Sequence, residues 1–410
     1  MQLKEFRVTG LFGIYDHTVP FVTSEDEEQD ASVVIIHGYN GVGKTTTLKM
    51  IAGILKLEFD VFRQVPFTFA ELKFSTGESL QVFNRGEDSL EVGFADKTVH
   101  LHPDHGGPKN PSSRTAVDNF RAVFGEKTQG ITFEFLPDAR STREVEADRS
   151  NILKYEQQMN LFRDGPEREP EQLLANKVRV FVRNAQLDSG VFFRSDQRDL
   201  FQRIMDDLTA PGSNEPNAEE IQTRLQRVRD LDKAHERFGL RCDRWDFEKL
   251  IGHLQAHDDR TLTVLSTYSE FLLTRAESRQ FLAERLLAFE EVMRGFLRDK
   301  DVLVNTRKGI EIVTHAGTVL REQQLSSGEY QLLYLMVAAL TTRRRGTVIA
   351  IDEPEISMHI SWQRKLVPSL IKCSSRAAPQ LLLATHSPDI AAGYRDSMVR
   401  IGGAYNDASA

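Results

Sequence analysis

Apolar and polar positions alternate at the start of the chain, and Leu3 to Thr9 and Tyr15 to Val22 predict two short strands. The acidic run Ser24 to Asp30 reads as a solvated turn before an apolar strand, Val33-Val-Ile-Ile36. The pattern then turns glycine-rich and helical, with Leu48, Ile51, Ile54 and Leu55 on one face of a helix over Thr45 to Leu55. Phe67 to Phe74, Leu80 to Asn84 and Leu90 to Phe94 predict an antiparallel meander turned at Gly77 and Gly86. Lys97 to Ser113, with Pro103, Pro108 and Pro111, reads as a loop, and Val178-Arg-Val-Phe-Val182 as a further strand.

Residues 191 to 300 predict helices. Leu282, Leu286, Phe289, Met293 and Phe296 recur at steps of four and three, a packing seam that Arg275 and Arg279 interrupt upstream. Strands follow near Val302 to Asn305 and Ile310 to Thr314, then a helix from Ser327 to Leu340, a strand Val348 to Ile351, a helix Ile360 to Ile371 and a strand Gln380 to Ala384. Strands alternating with helices predict an α/β sheet completed by elements from both ends of the chain. The expected division is an N-terminal lobe over 1–190, a helical insertion over 191–300 and a C-terminal lobe over 301–410.

Composition narrows the class more than the activity. A chain of 410 residues holds two or three domains, and no apolar run is long enough to cross a bilayer. The two cysteines, Cys242 and Cys373, are too few for a disulfide framework, and Met1 to Phe6 has no secretory apolar core, so the expected location is the cytoplasm. The net charge of -8 requires any nucleic-acid contact to come from a local basic face. The 191–300 interval, with 18 basic and 21 acidic residues, offers no such excess.

Three motifs carry chemistry. Gly38-Tyr39-Asn40-Gly41-Val42-Gly43-Lys44-Thr45, followed by Thr46, fits G-x-x-x-x-G-K-[ST] between a strand and a helix. Glycines let backbone N–H groups wrap phosphates, Lys44 reaches the β and γ phosphates of ATP, and the Thr45 hydroxyl can coordinate Mg2+. Val348 to Ile351 runs into Asp352 and Glu353, which alone could be an acidic turn; beside a P-loop, Asp352 suits the magnesium shell and Glu353 the polarisation of an attacking water. Leu325-Ser326-Ser327-Gly328-Glu329-Tyr-Gln331 opens a helix and offers a second phosphate-binding end, although an ordinary N-cap serine would look the same.

This last run resembles the signature motif of ABC-class ATPases, with Ser327 and Glu329 where transporters usually have Gly and Gln. The resemblance implies that Ser326, Ser327, Gly328 and Glu329 act on ATP held by another subunit, and that the chain is an ATP hydrolase working as a homo-oligomer, at least a dimer. It further implies that His386, in Thr385-His386-Ser387-Pro388, is the switch histidine at the γ-phosphate and that Gln186 is the Q-loop ligand to Mg2+. A Gly328→Asp change is then expected to block engagement without disturbing the fold. The implied fold is an ABC-ATPase head of two lobes, a mixed β lobe with the P-loop and an α/β lobe, with a helical insertion.

From Gly38 to Leu325 is 287 residues, which disfavours a transporter subunit and resembles the split heads of RecF and SMC proteins. Asp352-Glu-Pro-Glu-Ile-Ser-Met-His359-Ile-Ser-Trp362-Gln363 is similar to the D-E-P-E-x-x-L-H-P-x-W-Q run of OLD-family ATPases, with Ile360 replacing the usual Pro. The 24 residues after His386 leave no room for the TOPRIM nuclease of that family. The opening Gly10 to His17 resembles ATPase subunits of bacterial anti-phage systems such as PARIS or Septu, in which a separate chain carries the nuclease. These likenesses imply an ATP-driven switch controlling a separate effector, a nuclease, in anti-phage defence, with DNA or a phage component as a further partner and no membrane. The alternative is a RecF-like ATPase that clamps DNA in repair or recombination. His100, His102, Asp104 and His105 offer metal-type ligands but lie in a Pro/Gly-rich segment that reads better as a solvated loop, as does Arg343 to Arg345.

Overall fold

The computed structural model describes residues 1–21, 31–86, 89–101, 111–128, 131–137, 173–209, 217–238, 240, 249, 251–252, 259–305, 307–343, 346–375 and 377–402. Two compact units emerge, one of Met1–Arg168 with Leu325–Ala410, the other of Glu169–Gln324.

The first unit brings the chain ends together. Leu3–Leu11 (β1), Tyr15–Pro20 (β2), Phe69–Phe74 (β4), Ser79–Asn84 (β5), Leu90–Phe94 (β6) and Lys97–Leu101 (β7) form an antiparallel sheet in the order β2-β1-β4-β5-β6-β7. β4 and β6 alternate buried and half-buried positions, as a sheet with one face on the core requires. Ser32–His37 (β3), Phe133–Leu136 (β8), Val348–Asp352 (β12), Gln380–Ala384 (β13) and Met398–Arg400 (β14) form a parallel sheet in the order β14-β3-β13-β12-β8. β12 and β13 are buried at every position, which explains the apolar runs Val348–Ile351 and Leu381–Ala384 within them.

Lys44–Lys56 (α1) supplies Leu48, Met50, Ile51 and Ile54 to a core shared with Phe6, Phe74 and Phe94 of the antiparallel sheet and Val34, Ala350 and Leu382 of the parallel one. The Gln380 amide accepts from the Leu3 N–H at 2.8 Å and donates to the Leu3 carbonyl at 3.0 Å, tying the first strand to one near the end of the chain. Ser327–Thr341 and Ile360–Cys373 are the helices of the α/β part, and Cys373 Sγ lies 3.9 Å from Met336 Sδ between them.

Lys97 to Ser113 departs from the expected loop: it holds β7, and the helix Pro111–Lys127 begins within it. β7 is recruited by pairing with β6, Val99 opposite Val92. Phe124 of the helix packs its ring 5.0 Å from Phe94. His100 lies on β7, whereas His102, Asp104 and His105, with Arg344, Arg345, Cys242 and the 24–30 acidic run, lie outside the described residues.

The second unit contains Leu173–Thr209, Ala218–His235 and Asp259–Phe296 with a small antiparallel sheet of Lys300–Asn305 (β9), Gly309–Thr314 (β10) and Val319–Leu320 (β11). It therefore takes in residues on both sides of the 191–300 interval. The expected strand Val178 to Val182 is helix: Leu174, Ala175, Val178, Phe181 and Val182 are buried at helical spacing, and packing overrides their β propensity. Every member of the Leu282 to Phe296 seam is buried. The second unit also closes on charged groups: Glu290 accepts from the Val304 N–H at 2.8 Å and pairs with Arg237, and Glu322 accepts from the Leu174 and Ala175 N–H groups at a helix start.

Among the described residues no helix is long and apolar enough to cross a membrane. Among the described residues the first unit is α/β, with one antiparallel and one parallel sheet, and the second is helical with a small antiparallel sheet.

Candidate functional site

Parallel strands expose their C-terminal ends at one edge, and α/β sheets bind ligands there. Three adjacent strands deliver the motifs to that edge. β3 ends at His37 and runs into Gly38, β12 ends at Asp352, and β13, which lies between them, ends one residue before Thr385-His386. The register aligns Ile36, Ala384 and Asp352 across the sheet.

Gly43 closes the P-loop with φ +94°, a left-handed conformation that side chains rarely adopt, and a Cβ there would lie 2.8 Å from Leu11 Cδ2. Lys44 starts α1, is only 6% exposed, and donates from Nζ to the carbonyls of Gly38 and Tyr39 at 3.1 Å each. Burial lowers its pKa, opposed by the carboxylates of Glu353, Asp352 and Glu355. The Thr45 hydroxyl donates to Asp352 Oδ1 at 3.1 Å, bringing together two residues 307 positions apart. Two hard oxygen ligands at this spacing fit the chemistry of Mg2+. Tyr39 is exposed at the outer side of the loop.

Glu353, half-buried, has φ +44°, and its N–H donates to the Ala384 carbonyl at 2.8 Å. That unusual backbone turns the chain sharply at the end of β12. Glu355 then reaches across to the loop after β13: Thr385 Oγ1 donates to Oε2 at 2.7 Å and the His386 N–H donates to Oε1 at 2.6 Å. His386 itself is exposed. The structure thus gathers Lys44, Thr45, Asp352, Glu353 and His386 along one sheet edge.

Ser326 caps the helix Ser327–Thr341 in a reciprocal capping box, with the Ser326 N–H donating to Glu329 Oε2 at 2.9 Å and the Glu329 N–H donating to Ser326 Oγ at 3.4 Å. Ser326 and Ser327 are exposed, so this N-terminus faces solvent. Gly328 is buried, and a Cβ there would overlap the Ser357 carbonyl oxygen. The expectation that Gly328→Asp leaves the fold undisturbed is corrected accordingly.

Gln186 lies within the helix Leu173–Thr209 of the second unit and not after a strand, so the positional argument for it as a Q-loop is removed. The strand beside β12 is β8, after which the chain passes through Pro137 into residues outside those described.

Sequence reasoning assigned no role to Glu355, Gln363 or His17, although all three fall inside runs it singled out. Ser387 Oγ donates to Gln363 Oε1 at 2.6 Å, and Gln363 Nε2 donates to the Met358 carbonyl at 3.1 Å. His17 Nε2 meets the Val42 carbonyl at 2.7 Å from a buried position, supporting the P-loop from beneath.

No curated protein matches the chain. Among solved structures, an Smc head domain with an extended coiled coil bound to the C-terminal domain of ScpA, derived from Pyrococcus furiosus, matches with a TM-score of 0.40 at 12% identity, covering 98% of this chain and 96% of that chain. An SmcHead bound to the C-winged helix domain of ScpA gives 0.38 at 11% identity, covering 98% of both chains. The sequence itself gives the assignment. Residues 113–392, more than half of the chain and including the signature, Asp352, Glu353 and His386, match the family described as AAA domain, putative AbiEii toxin, Type IV TA system, and the chain belongs to that family.

Proposed function

We propose that the chain hydrolyses ATP as a molecular switch, assembles as a homo-oligomer through composite ATP sites, and controls a separate effector protein, a nuclease, in defence against phage. The observation that carries the ATPase reading is the Thr45–Asp352 contact at 3.1 Å, which unites the two halves of a nucleotide site.

In this reading the P-loop N–H groups and Lys44 hold the triphosphate, and the bound phosphates take over the Nζ donors that otherwise serve Gly38 and Tyr39. Thr45 and Asp352 would hold Mg2+, which when bound neutralises phosphate charge. Glu353 accepts the proton of the attacking water, and His386 contacts the γ-phosphate from the middle strand. The solvent-facing Ser326–Ser327 end serves ATP held by a second copy. The family description names a putative AbiEii toxin of a Type IV TA system; the separate effector rests on the likeness of Gly10 to His17 to ATPase subunits that work with one.

The test compares wild type, Lys44→Ala and Glu353→Gln for ATPase rate, for ATP-dependent mass by light scattering, and for binding of proteins encoded beside this one. Expected are loss of hydrolysis in both variants, ATP-dependent assembly that persists in Glu353→Gln, and partner affinity that changes with ATP state. Partner binding that ignores ATP overturns the switch. Salt-dependent DNA binding by the purified chain, without a partner, supports the DNA-clamp alternative instead.

A further inference from the structure

The turn between β12 and the helix Ile360–Cys373 does more than connect them. It begins with Glu353 at φ +44° and contains Ser357 at φ +66°, two left-handed residues that are not glycine. Such strain persists where surrounding contacts hold it, and here they do. Ile356 N–H donates to the Glu353 carbonyl at 3.1 Å and Met358 N–H to the Glu355 carbonyl at 3.0 Å. The Met358 carbonyl accepts from Gln363, Gln363 accepts from Ser387, and the Ser387 N–H donates to Thr385 Oγ1 at 2.9 Å. Thr385 Oγ1 in turn donates to Glu355. The hydrogen bonds close a ring that starts and ends on Glu355.

Within this ring both Glu355 oxygens are engaged, one by the Thr385 hydroxyl and the other by the His386 N–H. That carboxylate is held by the loop after β13, which separates its role from that of Glu353. The geometry points to Glu355 as a positioning residue: its carboxylate fixes the backbone on which His386 is presented, and thereby sets the rate of ATP hydrolysis without itself touching the nucleotide. This inference rests on the ATPase reading above.

The chemistry sets an order among variants. Glutamate accepts from both donors at once. Glutamine keeps one acceptor oxygen and turns an NH2 group toward the other donor, so Glu355→Gln loses half of the clamp, and Glu355→Ala loses all of it. Hydrogen bonds to charged groups support a drop in kcat of roughly 10-fold for Gln and up to about 100-fold for Ala, with KM for ATP nearly unchanged because Lys44, Thr45 and Asp352 are untouched.

The deciding experiment is a double-mutant cycle. Steady-state ATPase is measured for wild type, Glu355→Gln, His386→Ala and the double variant, alongside affinity for a fluorescent ATP analogue and thermal unfolding. If Glu355 acts through His386, the double variant is no slower than His386→Ala alone, analogue affinity of Glu355→Gln stays near wild type, and its Tm falls by no more than the few degrees that one lost hydrogen bond costs. Multiplying defects, or a kcat loss that tracks a loss of Tm, overturns the positioning role while leaving the ATPase intact. A wild type without hydrolysis overturns the parent reading, whereas a fully active His386→Ala leaves it standing and removes the histidine through which Glu355 acts; the role of Glu355 falls in either case.

Discussion

Gly328→Ala is the smallest perturbation that tests how the signature helix is seated. A Cβ at 328 would approach the Ser357 carbonyl oxygen inside the 3.0 Å that real Cβ atoms keep, with Trp362 Cζ3 at 3.8 Å on its far side. The obstacle is backbone in a strained turn, so it cannot rotate away as a side chain would. Overpacking of this kind costs about 1–3 kcal/mol, offset by up to about 1 kcal/mol from replacing a helical glycine with alanine. The net expectation is a loss of about 1–2 kcal/mol, or roughly 2–8 °C in Tm for a unit of this size. Catalysis should fall further than stability alone explains, because the displaced turn also carries Glu353 and Glu355. Ser327→Ala, one residue away and exposed, is the matched control and should keep wild-type stability. The assay is differential scanning calorimetry with ATPase rates on both variants. A Gly328→Ala protein with wild-type Tm and wild-type hydrolysis would refute the close seating of Gly328 on Ser357.

Glu353→Gln should retain ATP and lower kcat by about 10²–10⁴-fold, since an amide can hold a water but cannot accept its proton; undiminished phosphate release would remove Glu353 as the base. His17→Leu removes the ring nitrogen with little change in volume and leaves the Val42 carbonyl without its buried partner, costing about 1–3 kcal/mol and weakening ATP binding, and an unchanged Tm and affinity would show that the contact supports nothing. His37 has its pKa held below the ordinary 6.5 by burial first, then by Arg400 and Lys44. Between that lowered value and 6.5 the unfolded chain binds more protons, so stability present above 6.5 is lost as pH falls through the folded-state pKa. Wild type should therefore lose more stability on acidification than His37→Gln, measured as urea midpoints across that range, and parallel curves would contradict the assignment.

The P-loop, the Asp352-Glu353 pair and the His386 loop were legible in the sequence because each is a local event, an apolar strand followed at once by polar or glycine-rich residues. Burial of β12 and β13 at every position keeps Val348–Ile351 and Leu381–Ala384 apolar, so Asp352 and Thr385 mark where each run stops. Val178 to Val182 misled for the opposite reason. Its β-branched residues suit a strand, yet the apolar positions that decide the outcome extend back to Leu174 and Ala175 and follow the helical period. β7 escaped notice because five residues carry little pattern of their own, and it is the ladder to β6 that makes them a strand.

The contacts that turn the motifs into a site were of a third kind, set by strand order. Nothing in the local sequence says that β13 lies between β3 and β12, yet that order obliges the loop after β13 to emerge between the P-loop and the acidic pair. Once it does, Thr385 and His386 come within reach of the fourth residue of the Asp352-Glu-Pro-Glu355 run, and the carboxylate at 355 becomes their acceptor. The same turn meets Gly328 through Ser357, although 29 residues separate the two in sequence. Close contacts therefore run from Gly328 to the Ser357 carbonyl, along the strained turn to Glu355, and from its carboxylate to the His386 N–H. A second copy's nucleotide docking at Ser326–Ser327 would press on the first of them. Coupling along them requires the turn to be stiff, and the left-handed Glu353 and Ser357, locked by the ring through Gln363 and Ser387, make it so.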